Sequence, residues 1–328
     1  MIPEPDQKDR NILRELFDDA RKPFSVIAKN VRASKEVVNY RVKRMLDSGL
    51  LSGFNTVIDI ERLGWQVFFV YVRLRNIDDT QEQSIIESLK RHKNVAWLIR
   101  CIGNYDVVMK VFVRSTEEID TILKGFESSY TTHIDSSKIE YVSEEHAVPF
   151  SFIYQTKEQT IHSIKKSTKE RYELSKTEAR ILKELARNAR LPLSDMATKL
   201  KLSREVLTYH LRKLEKEKIV LKYRPDFWPD QLGYNWYLIT LKLGKMEEAM
   251  ASQLKAYLLH QKNVTYFYKT IGESDLEVEV RVRTTEELSV ILMELRSLLK
   301  TALKRQEILI VLKEHKYTYF PECLMETA

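Results

Sequence analysis

The stretch ASKEVVNYRVKRM, which begins at Ala33, and the stretch LSREVLTYHLRKL, which begins at Leu202, carry Ser, Glu, Val and Tyr at matching places. Ile12 likewise matches Ile181, 169 residues further on, and this register holds without a gap almost to the C-terminus. Ala20-Arg21-x-Pro23 matches Ala189-Arg190-x-Pro192, and Leu63-Gly64 matches Leu232-Gly233. Ile102-Gly103 and Asp106 match Ile271-Gly272 and Asp275. Chance does not hold one register over half a chain, so the chain is two copies of one architecture.

Each copy has two parts. The first is helical. DRNILRELFDDA spaces Ile12, Leu13, Leu16 and Phe17 for one helix face, and PFSVIAKNV is a short second helix with Pro23 at a start position. Ser34 stands where an N-cap is wanted, and the third helix runs towards Gly49, a stop signal. A short β-like stretch with a Gly follows, so three helices and a small hairpin read as a winged helix-turn-helix. The second part runs strand, helix, strand, tight turn, strand, helix, strand. This βαββαβ order is that of a ferredoxin-like, ACT-like domain. The expected class is α+β, with winged helix-turn-helix units over 1–55 and 173–225 and ferredoxin-like domains over 56–152 and 226–322. A polar linker spans 153–172.

On a helical wheel Val38, Val42 and Met45 fall in one sector of the third helix, as do Leu207, Leu211 and Leu214 in copy two. The opposite sector carries Glu36, Asn39, Tyr40, Lys43 and Arg44, with Lys35 on the first turn. Copy two carries Glu205, Thr208, Tyr209, Arg212 and Lys213, with Arg204 on the first turn. These side chains suit a DNA major groove. Lys and Arg reach phosphates or guanine, Asn pairs with adenine, and Glu accepts from cytosine. A Glu in a first helical turn is also favoured by the helix dipole whatever it touches, so Glu36 and Glu205 have two readings. A net charge of +7 agrees with a polyanionic partner.

Two cysteines, Cys101 and Cys323, have no motif spacing, and no histidines pair at metal spacing. No phosphate-binding glycine loop appears. We therefore expect no metal, no cofactor, no catalytic set and no enzyme. The N-terminus lacks a signal pattern and no apolar run is long enough for a membrane span, so a cytoplasmic protein without membrane contact is expected.

The order of parts, ILRELFDDARKPFSVIAKNVRASKEVVNYRVKRMLDSGLL, the Leu63-Gly64 pair and IGNYDVVMKVFVRSTEEI resemble the Lrp/AsnC (feast/famine) transcription regulators, in duplicated form. Copy two repeats the resemblance. It implies binding to double-stranded DNA and assembly as a homodimer or higher oligomer. It also implies an amino-acid-like effector near the Gly-x-x-Asp turns, at Gly103, Asn104 and Asp106 and at Gly272, Glu273 and Asp275. Those same residues also read as turn formers, Gly for the bend and Asp to hold it. Two alternatives stand beside a regulator. One is an enzyme like the siroheme decarboxylases, which resemble this family. The other is a ligand-sensing protein with vestigial DNA-binding modules.

Overall fold

The computed structural model describes residues 4–148, 150–154, 162–164 and 170–325. Copy one starts with α1 (Gln7–Asp18), α2 (Phe24–Asn30) and α3 (Lys35–Asp47), then β1 (Leu51–Ile58). Its second part is β2 (Gln66–Leu74), α4 (Asp79–Arg91), β3 (Val95–Ile102), β4 (Val107–Val113), α5 (Thr116–Ser129) and β5 (Ile134–Ala147). A short α6 (Ser151–Tyr154) and β6 (His162–Ile164) follow; most of the expected linker lies outside the described residues. Copy two repeats the plan as α7 (Lys176–Arg187), α8 (Leu193–Leu200), α9 (Arg204–Lys216) and β7 (Val220–Phe227). Then come β8 (Asn235–Leu243), α10 (Glu248–His260), β9 (Val264–Ile271), β10 (Leu276–Val282), α11 (Thr285–Leu299) and β11 (Leu303–Tyr317). The class is α+β, as the pattern predicts.

Caps set where the helices begin. Asp6 and Asp9 form a reciprocal capping box on α1, and Ser175 and Glu178 form the equivalent on α7. Ser34 accepts a hydrogen bond from the Val37 N–H at 3.3 Å, and Ser203 one from the Val206 N–H at 3.2 Å. Each such cap contributes about 1 kcal/mol. Val38, Val42 and Met45 are buried, as are Leu207, Leu211 and Leu214.

The expected hairpin after the third helix does not form. β1 instead pairs antiparallel with β7 of the other copy, from Leu51 opposite Phe227 to Ile58 opposite Val220. Only one strand separates each helical unit from its barrel strand, so each copy completes the other's wing. The exchange extends to the helices. The Ala20 N–H donates to the Tyr223 carbonyl at 3.0 Å and the Ala189 N–H to the Phe54 carbonyl at 2.7 Å.

The ferredoxin-like domains also join inside the chain. The strand order β2-β4-β3-β11-β8-β10-β9-β5 closes through β2–β5 into a barrel, with β6 on the outer edge of β5. β5 begins on β2 of its own copy and ends on β9 of the other, while β11 begins on β8 and ends on β3. Tyr141 faces Ile271 across one seam and Ile310 faces Ile102 across the other, which are equivalent pairs in the repeat. The four long helices of these domains pack outside the barrel over two apolar clusters. The barrel interior is continuous with the core of the winged helices. Among the described residues no helix is long and apolar enough to cross a membrane.

Candidate nucleic-acid interface

The outer faces of α3 and α9 carry the side chains picked out in the sequence. Lys35, Glu36, Asn39, Lys43 and Arg44 are exposed on α3, with Tyr40 66% exposed. On α9, Arg204, Glu205 and Arg212 are exposed, Tyr209 is 64% exposed, and Thr208 and Lys213 are half-buried. Large aromatic rings left in water at equivalent places on both helices are the feature that a solvated helix face does not need.

These residues do not form one uniform set. Arg44 donates to Asp9 at 2.6 Å, and Arg41 donates to Asp6 at 2.7 Å and to Asp9 at 2.9 Å. In copy two Lys213 donates to Glu178 at 3.0 Å and lies 5.3 Å from the Tyr172 ring centre. Asp9 and Glu178 are equivalent positions, as are Arg44 and Lys213. Each pair ties the third helix to the first turn of the first helix. Hydrogen bonds from Ser175 and Lys213 outweigh burial and hold the Glu178 carboxyl down at about 2. These ties draw Arg44 and Lys213 towards the first helix, while Lys43 and Arg212 are exposed on the outer face. The sequence reading missed the acidic partner, although Asp9 and Glu178 recur in register.

Glu36 and Glu205 have lowered pKa values because the backbone N–H groups and the Ser34 or Ser203 hydroxyl bond to the charged form. Both carboxylates thus interact favourably with the start of their own helix. The Thr208 hydroxyl donates to the Arg204 carbonyl at 2.7 Å, which turns its polar atom into its own helix.

The repeated Ala-Arg-x-Pro motif, for which the sequence offers no role, is a clasp between the two winged helices. Arg21 donates to the Ala189 carbonyl at 2.7 Å. Arg190 donates to the Ala20 carbonyl and to the Lys22 carbonyl, and stacks 4.1 Å from the Phe24 ring centre. With the β1–β7 ribbon, this fixes α3 and α9 relative to each other.

The Gly-x-x-Asp turns have internal partners. Asp106 accepts the Leu74 N–H at 2.7 Å and Asp275 accepts the Leu243 N–H at 2.7 Å, each pinning the turn to the end of a neighbouring strand. A Cβ on Gly103 would stand 2.6 Å from Leu309 and 3.0 Å from the Ile308 carbonyl; one on Gly272 would stand 3.0 Å from the Ile139 carbonyl. These glycines let each turn approach the last strand of the other copy. Asn104 is exposed, and Glu273 is paired with Arg305 at 3.3 Å.

A family model described as winged helix-turn-helix DNA-binding matches residues 5–52 and again 174–220. The regulatory protein AsnC of Haemophilus influenzae is 32% identical over 119 residues, 36% of this chain and 78% of that protein. The transcriptional regulator FL11 of Pyrococcus horikoshii is 28% identical over 146 residues, 41% of this chain and 95% of that protein. Among solved structures, the siroheme decarboxylase NirDL matches 98% of this chain and 96% of its own, with a TM-score of 0.66 and 14% identity. That likeness is one of fold. It overturns the expectation that the chain is no enzyme, because this two-copy architecture is one on which a decarboxylase is built. The sequence reading expects no enzyme because no catalytic motif appears, and keeps a decarboxylase-like enzyme only as an alternative. With two winged helix-turn-helix matches and AsnC covered over most of its length, the chain belongs to the AsnC/Lrp family of transcriptional regulators, in tandem form.

Proposed function

We propose that the chain is a sequence-specific regulator that lays α3 and α9 into the major groove of double-stranded DNA, in the cytoplasm, under the influence of a small molecule. The observation that carries this reading is the pair of Ser-capped helices, each with an exposed Tyr and basic face, clasped to one another. Salt-dependent binding to selected duplexes is the test. Log affinity should fall against log salt with a slope of about −0.9 for each phosphate contacted. An affinity that stays flat as salt rises sinks the proposal. Association of chains into dimers or larger rings belongs to the same reading. It is supported by Ile102, Ile310 and Leu312, which leave an apolar strip in water on one barrel seam, and by Ile271 at 63% exposure on the other.

A second reading is favoured by one observation, the likeness of the whole two-copy chain to NirDL. On this reading the chain takes an iron tetrapyrrole and removes carboxylate groups from it. Titration with an iron uroporphyrin, followed by visible absorbance and carbon dioxide release, tests it. No shift in the absorbance band and no gas would eliminate it.

A further inference from the structure

Inside the barrel two carboxyls meet across the copies beside one lysine. Glu140 lies on β5 of copy one and Glu277 on β10 of copy two, and both are fully buried. Lys138, also buried, is 2.9 Å from Glu140. Glu140 accepts the Ser274 N–H at 2.9 Å as well, and Ser274 belongs to the Gly-x-x-Asp turn of copy two. This carboxylate therefore ties one copy to the other.

Glu277 has no such donors. It stands against Glu140 and against Tyr71 of β2. An ionised carboxylate can only accept hydrogen bonds. Both Glu277 oxygens, Glu140 Oε2 and the Tyr71 hydroxyl then lack a partner among the described residues. A proton on Glu277 makes it a donor towards Glu140 and removes one of two like charges. Burial, together with the Glu140 charge, pushes the Glu277 carboxyl well above its ordinary range. Against burial, Lys138 holds Glu140 below its own.

The other groups around the pair do not stand in for that proton. Tyr268, opposite Glu277 on β9, gives its hydroxyl to Glu279 at 2.7 Å. Lys110 of β4 donates to Glu145, and Arg305 of β11 is paired with Glu273 and Glu307. Tyr105 stacks beside Tyr71, and burial pushes the Cys101 thiol of β3 up to about 12. The repeat offers an internal comparison. Val108 stands at the place of Glu277 and Leu309 at that of Glu140, so the other seam carries no carboxyl at either position.

We propose that Glu277 and Glu140 hold one proton between them, as a lock that joins the two copies on one side of the barrel and weakens when that proton passes to water. The folded chain keeps a proton that the unfolded chain releases above pH 4.5. The stability the lock supplies is complete below pH 4.5 and is lost as pH rises through the raised value.

Urea unfolding of the full chain from about pH 5 to about pH 8 tests it. Glu277→Gln is the reference, because Gln keeps the shape and a donor without a titrating proton. The ratio of unfolding constants, wild type over Glu277→Gln, should rise about tenfold for each pH unit until the folded carboxyl itself titrates. Glu140→Gln leaves a single carboxylate for Lys138, so the ratio of wild type over this variant should rise likewise. If Glu277→Gln does not fold, Glu140→Gln decides alone. A ratio to Glu277→Gln that stays constant with pH overturns the proposal. A ratio that rises against Glu277→Gln but stays constant against Glu140→Gln overturns it as well, since burial of Glu277 alone then holds the proton and the copies do not share it.

Discussion

Glu178 has no exposed side-chain surface, yet it is charged because Ser175, Tyr172 and Lys213 all bond to it. Its carboxyl is held at about 2 against an ordinary 4.5, so the charged form is favoured by folding. The stability this supplies is complete above pH 4.5 and is lost as pH falls towards 2. Glu178→Gln should cost about 1–2 kcal/mol at pH 7, an amount discounted for the exposure of Lys213. In urea unfolding, the gap between wild type and variant should close as pH drops from 5 towards 3. A gap that is constant with pH would show that shape rather than charge matters there. The two turn glycines offer a second contrast. Gly103 has a φ of +148° and meets both a side chain and a carbonyl, whereas Gly272 has no such backbone angle. Gly103→Ala should therefore cost more than Gly272→Ala, roughly 1–3 kcal/mol for the former. The reverse order in thermal unfolding would refute the account that the backbone angle at Gly103 sets the difference.

Between elements, the clasp of Arg21 and Arg190 and the β1–β7 ribbon hold the two third helices at one spacing. The Arg21→Ala, Arg190→Ala double variant should keep the ribbon but loosen that spacing. Insertion of one base pair between half-sites should then weaken binding less in the variant than in wild type, as gel-shift titration would measure. Equal losses in both would mean that the ribbon alone fixes the helices. The helices, their caps and the βαββαβ order were legible because local periodicity and turn chemistry write them. The exchange of β1 and β7 was not, because one strand looks the same whichever partner it meets. β10 misleads in another way. Leu276, Val278, Val280 and Val282 alternate with Glu277, Glu279 and Arg281, the pattern of a sheet with one wet face. Closure of the barrel buries that second face, and burial together with the neighbouring Glu140 pushes the Glu277 carboxyl well above its ordinary range. Lys138, 2.9 Å from Glu140 and 4.1 Å from the Tyr71 ring centre, answers part of that charge. Of the candidate interface, the outward residues were legible from the wheel. The ties of Arg44 and Lys213 to a distant acid depend on tertiary packing and were not.

At the scale of the whole molecule, a single chain replaces what two identical chains would build, and the two halves are free to differ. Lys35, Asn39 and Lys43 on α3 stand where α9 has Arg204, Thr208 and Arg212. The Asn39 amide offers a donor and an acceptor together, which matches adenine in the major groove. Thr208 has spent its hydroxyl on the Arg204 carbonyl, leaving its methyl group for an apolar contact such as the methyl of thymine. Arg212 offers a planar fork for guanine where Lys43 offers a single charged tip. Two identical subunits read a palindrome because their symmetry repeats each contact. This pair of helices should instead select an element whose half-sites differ, recovered by selection from random duplexes. Lys43→Ala and Arg212→Ala should each lower affinity by roughly 1–3 kcal/mol where the lost contact is to a base, and each should relax preference in a different half-site. Replacing either half-site by a copy of the other should weaken wild-type binding, since one helix then faces bases it does not match. A selected palindrome, or two variants that relax the same positions, would mean that the halves read DNA as equals and that their divergence serves something other than recognition.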